Sequence, residues 1–301
     1  MVYKNFDELI EKVQNLESVK RVAVVVAEDE HTLEAVFKAK EDKIVEPVLI
    51  GCKKKIMEVL GKLNESLDKN CIIDAADDSE AARKAVELVN RGKVDFIMKG
   101  KIQTADLLKA VVDKEKGLQT GRIMSHIVIH EIPTYHKLLA VTDGGMMMYP
   151  NVQQKKEIIE NAVETFVAMG YKKPKVAVLT AVEKVNPKMP ETIDADKLKQ
   201  MNIDGEIENC ILEGPISYDL TMSKESAKIK GFESEVTGDV DILIVPNITA
   251  GNILGKAFIY TANAKMAGFI VGAKVPIVLT SRGSTSEEKY LSLVLSASTV
   301  K

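Results

Sequence analysis

Two kinds of apolar pattern alternate along the chain. Phe6, Leu9, Ile10, Val13 and Leu16 recur at helical spacing. Residues 21–27 (RVAVVVA) form a continuous, mostly β-branched run, suited to a strand covered on both faces, as in a parallel sheet. Helical patterns at 28–40, 54–63 and 79–91 then alternate with strand patterns at 47–50, 71–74 and 94–98. Repeated β-α alternation with short connections predicts an open parallel sheet flanked by helices.

After apolar runs at 126–132 and 138–141 the alternation resumes. A long helix is predicted over 152–169, capped by Gly170, then a strand over 175–179. Pro187 and Pro190 predict a loop over 183–194, followed by a helix at 195–201 and a strand at 210–212. Residues 213–219 read as a tight turn, 223–228 as a short helix, 241–245 as a strand and 246–252 as a polar turn. A helix over 253–267 and strands over 267–272 and 276–279 complete the pattern. The last strand opens residues 276–288 (PIVLTSRGSTSEE). Ser284 then reads as a helix N-cap, with Glu287 as its capping-box acid.

A chain of 301 residues can hold two domains. Lys+Arg 41 against Asp+Glu 44 leaves a net charge of −3, with no basic surplus for nucleic acid. Aromatic residues are 5% and Trp is absent, which disfavours base-stacking platforms. Three scattered cysteines, Cys52, Cys71 and Cys210, disfavour a disulfide framework and suit a reducing, cytoplasmic setting. No apolar run reaches the ~18–20 residues of a membrane span. The acidic, amphipathic start MVYKNFDELIEKV does not read as a signal peptide.

Candidate chemistry sits where strands run into small polar turns. In open α/β sheets, ligands gather at the carboxyl ends of strands. Such turns are Lys99–Thr104, Thr142–Gly145 with Asp143 and Gly144, 214–219 with Asp219, 247–252 with Asn247, Thr249, Gly251 and Asn252, and Ser281-Arg282. Gly, Thr, Ser, Asn and Lys dominate them, which suits an anion and offers poor metal ligation. The stretch 276–288 combines a strand, a cationic turn and a helix start, an arrangement that favours anions. His126 and His130 are four apart in a strand pattern, too far apart for one metal, and HExxH is absent. Gly251–Lys256 has one residue too few for a P-loop, and Ala257 replaces its hydroxyl residue. No GxGxxG follows a strand and no GxSxG elbow occurs. From the residues alone, the chain reads as a two-domain α/β protein that binds a phosphorylated small molecule.

Four blocks, MKGKIQTADLL (98–108), EGPISYD (213–219), PNITAGNI (246–253) and LTSRGSTSEEK (279–289), resemble the phosphate acetyltransferase and phosphate butyryltransferase family. MKGKIQTADLL and VNPKMP (185–190) resemble its butyryl branch. The resemblance implies an isocitrate/isopropylmalate dehydrogenase-like fold: residues 1–136 plus 280–301 as one domain, 137–279 as the second, and an interdomain active site. It implies reversible conversion of butanoyl-CoA and phosphate to butanoyl phosphate and CoA, by direct transfer in a ternary complex. CoA and phosphate would be substrates, with no metal or other cofactor, in a cytoplasmic homo-oligomer of fermentation. Arg282 would hold phosphate and Ser281 would donate to it or to the developing oxyanion. Glu288 or Glu287 would serve as base, and Lys109 stands where the acetyltransferases carry a substrate-contacting arginine. Two other readings are a decarboxylating dehydrogenase, which needs clustered metal-binding aspartates, and a non-catalytic CoA or phosphate sensor.

Overall fold

The computed structural model describes residues 2–280 and 283–300. The first half runs α1 (Phe6–Gln14), β1 (Lys20–Val25), α2 (Glu30–Glu41), β2 (Val45–Gly51), α3 (Lys53–Leu63) and β3 (Ile72–Asp74). It continues with α4 (Asp78–Asn90), β4 (Phe96–Lys99), α5 (Thr104–Val111), β5 (Ser125–Glu131) and β6 (Leu139–Thr142). Then come α6 (Val152–Ala168), β7 (Lys175–Leu179), α7 (Pro190–Ile203), β8 (Ile211–Ile216), α8 (Tyr218–Met222) and α9 (Lys224–Lys230). The chain closes with β9 (Ile242–Ile244), α10 (Ile248–Ala262), β10 (Lys265–Val271), β11 (Ile277–Val278) and α11 (Ser286–Thr299).

Two compact units result. The flanking unit holds Asp7–Arg122 with Ala267–Lys301, and the middle unit holds Met1–Phe6 with Ile123–Met266. Sequence expectation placed the divisions at 136/137 and 279/280. They fall earlier because β5 pairs antiparallel with β6, whereas β10 pairs antiparallel with β11.

In the flanking unit the strand order is β3-β2-β1-β4-β11-β10, parallel except for the last pair. Val22–Val25 and Phe96–Met98 have no exposed surface, which explains their unbroken apolar runs. Helix α11 is buried from Lys289 to Ser298 and lies against α2. There Ser286 Oγ donates to Glu34 (2.9 Å), the Tyr290 hydroxyl donates to Asp42 (2.6 Å), and Lys38 lies over the Tyr290 ring.

In the middle unit the order is β5-β6-β9-β7-β8, with β6, β9, β7 and β8 parallel. The expected parallel-type sheets flanked by helices are found, with β5 antiparallel to β6 and β10 antiparallel to β11. The N-terminal segment is tied in by Tyr3, whose hydroxyl donates to Met169 O at 2.8 Å. Three element boundaries also differ from expectation. Helix α7 starts at Pro190, which occupies its first turn, where a missing N–H costs nothing. Strand β8 continues through Glu213 to Ile216, the stretch read as a turn. Helix α10 starts at Ile248 rather than 253, capped by Asn247, so Thr249, Gly251 and Asn252 sit in its first turns rather than in a loop.

Candidate functional site

Among the described residues, Lys99, Asp143 and Gly144 lie at the carboxyl ends of strands, and Asn247 and Asp219 lie just beyond such ends. In the flanking unit, β4 ends at the buried Lys99, whose Nζ donates to Gly100 O at 3.2 Å. Gly100 and Lys101 donate to Val25 O (2.9 Å) and Val26 O (2.8 Å), so this turn is clamped onto the end of β1. A Cβ on Gly100 would lie 2.4 Å from Val26 O, so glycine is required by the close backbone approach. Val26 itself has φ +56, a strained conformation for a β-branched residue. Thr104 opens α5 and is exposed, as is Lys109 on the same helix.

Ser281 and Arg282 lie outside the described residues. The helix start beyond them is Thr285, not Ser284. Thr285 Oγ1 accepts from Glu288 N (3.1 Å) while the Glu288 carboxylate accepts from Thr285 N (3.2 Å). This is a complete capping box, and it corrects the assignment of Glu287 as the capping acid. Glu288 is the residue turned back on the backbone, whereas Glu287 is exposed. Ser284 O instead accepts from the buried Lys289 Nζ at 2.8 Å.

In the middle unit, β6 leads into the Asp143 turn. Asp143 is buried, and its carboxylate accepts from the N–H groups of Gly145 (2.8 Å), Met146 (2.7 Å), Met147 (3.2 Å) and His126 (3.0 Å). Four backbone donors on one carboxylate make Asp143 the organiser of the turn. Gly144 meets Gly251 of α10 backbone to backbone, and a Cβ on either would come within 2.8 Å of the other. Asn252 Nδ2 donates to Gly144 O at 3.4 Å, and Ile248 N donates to Met148 O at 3.0 Å. Asn247 is extended and accepts from Ala250 N at 3.1 Å, which aims the first turn of α10 at the Asp143 turn. Thr249 and Asn252 are exposed there.

Asp143, Gly144, Asn247, Gly251 and Asn252 are therefore brought together. Asp219 joins a different cluster: it accepts from Ser217 Oγ (2.7 Å) and pairs with Lys230 (3.0 Å), which also pairs with Glu183 (2.6 Å). The Ser217 hydrogen bond, then Lys230, holds the Asp219 carboxyl below the usual carboxylate range. Lys230 and Glu183, 47 residues apart, gave no sequence signal of this pairing.

The two strand histidines flank α10. His126 is half-buried beside Gly145, and His130 is buried with its ring edge-on to Phe258 at 5.2 Å. Burial pushes the His130 imidazole down to about 4. Burial also lowers that of His126, against the pull of Asp143. Among the described residues, no group of three or more His, Cys, Asp or Glu side chains is placed to hold a metal ion. What the middle unit offers is hydroxyl, amide and imidazole groups around a glycine-tight turn, with its carboxylates engaged internally.

Comparison with known proteins adds the family. A family model described as phosphate acetyl/butaryl transferase matches residues 75–297. A phosphate acetyltransferase of Thermotoga maritima is 45% identical over 278 residues, 92% of this chain and 94% of the relative. A phosphate butyryltransferase of Clostridium acetobutylicum is 42% identical over 294 residues, 98% of this chain and 97% of the relative. The crystal structure of a branched-chain phosphotransacylase from Enterococcus faecalis V583 is 33% identical, with a TM-score of 0.81, over 93% of this chain and 99% of that one. A family model spanning most of the chain and relatives matched almost end to end place this chain in the phosphate acetyl/butyryl transferase family, as a phosphate acyltransferase.

Proposed function

We propose that the chain interconverts butanoyl-CoA plus phosphate and butanoyl phosphate plus CoA, by direct transfer with both substrates bound. The observation that carries this reading is the glycine-on-glycine contact of Gly144 and Gly251. It brings a strand-end turn and a helix N-terminus together and leaves Thr249 and Asn252 exposed beside them. Such a surface favours a neutral acyl group and an anion over a metal. CoA and phosphate are substrates in this reading, with no further cofactor.

In the CoA-acylating direction the thiol attacks the acyl phosphate carbonyl. A thiol with pKa near ~8.5 is mostly protonated at neutral pH, so a base assists it. Glu287 and Glu288 are the candidates for that base, Glu288 being held in its capping box. Arg282 holds the phosphate, and Ser281 donates to the phosphate or the developing oxyanion, in keeping with the family resemblance. Holding both substrates in line supplies much of the remaining rate enhancement. Butyryl preference follows from the MKGKIQTADLL and VNPKMP blocks.

The enzyme in this reading is cytoplasmic and fermentative. No helix among the described residues is long and apolar enough to cross a membrane. It acts as a homo-oligomer, for which the exposed α10 side chains Ile253 and Tyr260 offer an apolar surface to a second copy. A panel of acetyl-, butanoyl-, valeryl- and branched acyl-CoA substrates, with phosphate present and thiol release followed, tests the reading. The highest kcat/KM is expected with butanoyl-CoA. A preference for acetyl-CoA would move the chain to the acetyl branch, and no release with any substrate would end the enzymatic reading.

A further inference from the structure

His126 is the second residue of β5, next to the end of β6, on the same face of the strand as His130, whose ring packs on Phe258 of α10. Its Nδ1 is buried and has no hydrogen-bond partner. That nitrogen lies against Gly145: a Cβ built on Gly145 would fall 2.4 Å from it. The hydrogen that glycine carries in that direction is bound to carbon. Gly145 N–H is already given to Asp143, at 2.8 Å. A Cα–H can face a nitrogen lone pair but cannot accept from an N–H. Nδ1 is therefore the bare nitrogen, and the ring proton is on Nε2. The residue is half-buried and Nδ1 is its sealed nitrogen, so the other ring nitrogen carries the proton, as Nε2–H.

We propose that His126 is a neutral hydrogen-bond donor to the acyl substrate, its Nε2–H stabilising the carbonyl oxygen on which charge develops. This rests on the acyltransferase reading given above. As the thiol sulfur bonds to the carbonyl carbon, the C=O electron pair moves onto oxygen. It returns as the C–O bond to phosphate breaks, and the phosphate leaves with that bonding pair. His126 keeps its proton throughout, so it adds no step to the proton transfers. Donors fixed in place for a developing oxyanion need no reorganisation during the reaction.

The surroundings keep the imidazole neutral. Burial disfavours its charged form, and Asp143 pulls the other way. His130 lies on the same strand and is itself held neutral. The facing stretch of α10, residues 248–255, carries no titratable side chain, and the opposite face of β5 meets Asn161 of α6 through Ser125. His130 is not a second donor of this kind, since both its ring nitrogens are sealed and unpartnered.

Two measurements on the full chain test the assignment. In ¹⁵N-histidine spectra between pH 6 and 8, His126 is expected with bare Nδ1 and protonated Nε2; a protonated Nδ1 overturns the proposal. In turnover of butanoyl-CoA with phosphate, His126→Ala is expected to lose on the order of 100-fold in kcat. His126→Gln keeps an N–H donor without a titratable proton, and is expected to stay within about ten-fold of the parent. An equal loss in both variants, or none in either, overturns the donor role while leaving the acyltransferase reading intact. Should His126→Ala fail to fold by circular dichroism, the tautomer and the glutamine variant still decide. An unmutated protein inactive toward every acyl-CoA defeats the acyltransferase reading, and this proposal with it.

Discussion

Two places in the middle unit's sheet, the amino ends of β6, β9 and β7 and the carboxyl end of β6, handle charge in opposite ways. At the amino ends of β6, β9 and β7, charges are buried against other fixed charges. Lys137 is 4% exposed and pairs with Asp239 (2.9 Å) and Asp241 (2.7 Å). Asp239 also holds Lys175 (2.6 Å) and His136 (3.0 Å). At the carboxyl ends, the buried carboxylate of Asp143 is spent on four backbone N–H groups, and exposed neighbours such as Thr249 and Asn252 border the turn. A salt-bridge network answered from within has nothing to offer a ligand. A turn whose acid is consumed by its own backbone presents donors without presenting a competing negative charge. The difference separates the end that stabilises the sheet from the end that the proposed function makes the binding one.

The largest expected effect lies outside that sheet, at Glu287 of α11. If it is the base, Glu287→Gln lowers kcat on the order of 100-fold with an unchanged melting temperature. Glu288→Gln is expected to keep both turnover and stability, because glutamine also completes a capping box. Steady-state kinetics on the two variants checks this; the reverse pattern would return the base to Glu288.

Lys137→Met is expected to cost about 3 kcal/mol, because it strands the buried Asp241 carboxylate, while Asp239 keeps Lys175 and His136. Urea denaturation reads the loss, and KM for both substrates in the folded fraction should be unchanged. Gly251→Ala acts at the other end of the sheet. Its Cβ would fall 2.7 Å from Gly144 Cα, so the backbones must separate, at about 1–3 kcal/mol. In contrast to Lys137→Met, this change should also raise KM.

The acid limb of stability gives a smaller effect. Burial alone would raise the Asp239 carboxyl, but Lys175, His136 and Lys137 together hold it well below the ordinary carboxylate range. A depressed carboxyl contributes stability present above its unfolded pKa of about 3.9, and lost as pH falls through the folded value. Asp241 acts oppositely: burial raises its carboxyl despite Lys137, so its proton uptake favours the folded state as pH falls. Asp239→Asn should therefore flatten the loss of stability below about pH 4, measured by denaturant midpoints across pH. An acid limb identical to the parent's would show that the network does not set it. The smallest expected effect is Thr285→Ala, about 1 kcal/mol from the lost cap of α11.

Much of this architecture was legible in the sequence. Unbroken β-branched runs such as RVAVVV announced strands covered on both faces, and β1 is buried accordingly. The strand-end turns were legible too, because Gly, Asn and Thr cluster after apolar runs. What was hidden depended on geometry that spacing does not encode. Thr285 and Ser284 are equally good caps by composition, and only the backbone shows that Glu288 closes the box. The four backbone donors to Asp143 were hidden because they come from the fold. Polar residues 248–252 looked like a loop, yet Asn247 caps them into α10. His126 read as a strand polar residue, since its contact with Gly145 joins two segments apart in sequence.

The central claim is transfer of an acyl group to phosphate, and ³¹P spectroscopy of the reaction tests it most directly. With butanoyl-CoA and phosphate, the account predicts an acyl phosphate resonance growing in step with free CoA thiol, and its reversal when thiol is added back. Thiol release with no acyl phosphate signal would make the chain a thioester hydrolase and contradict the account.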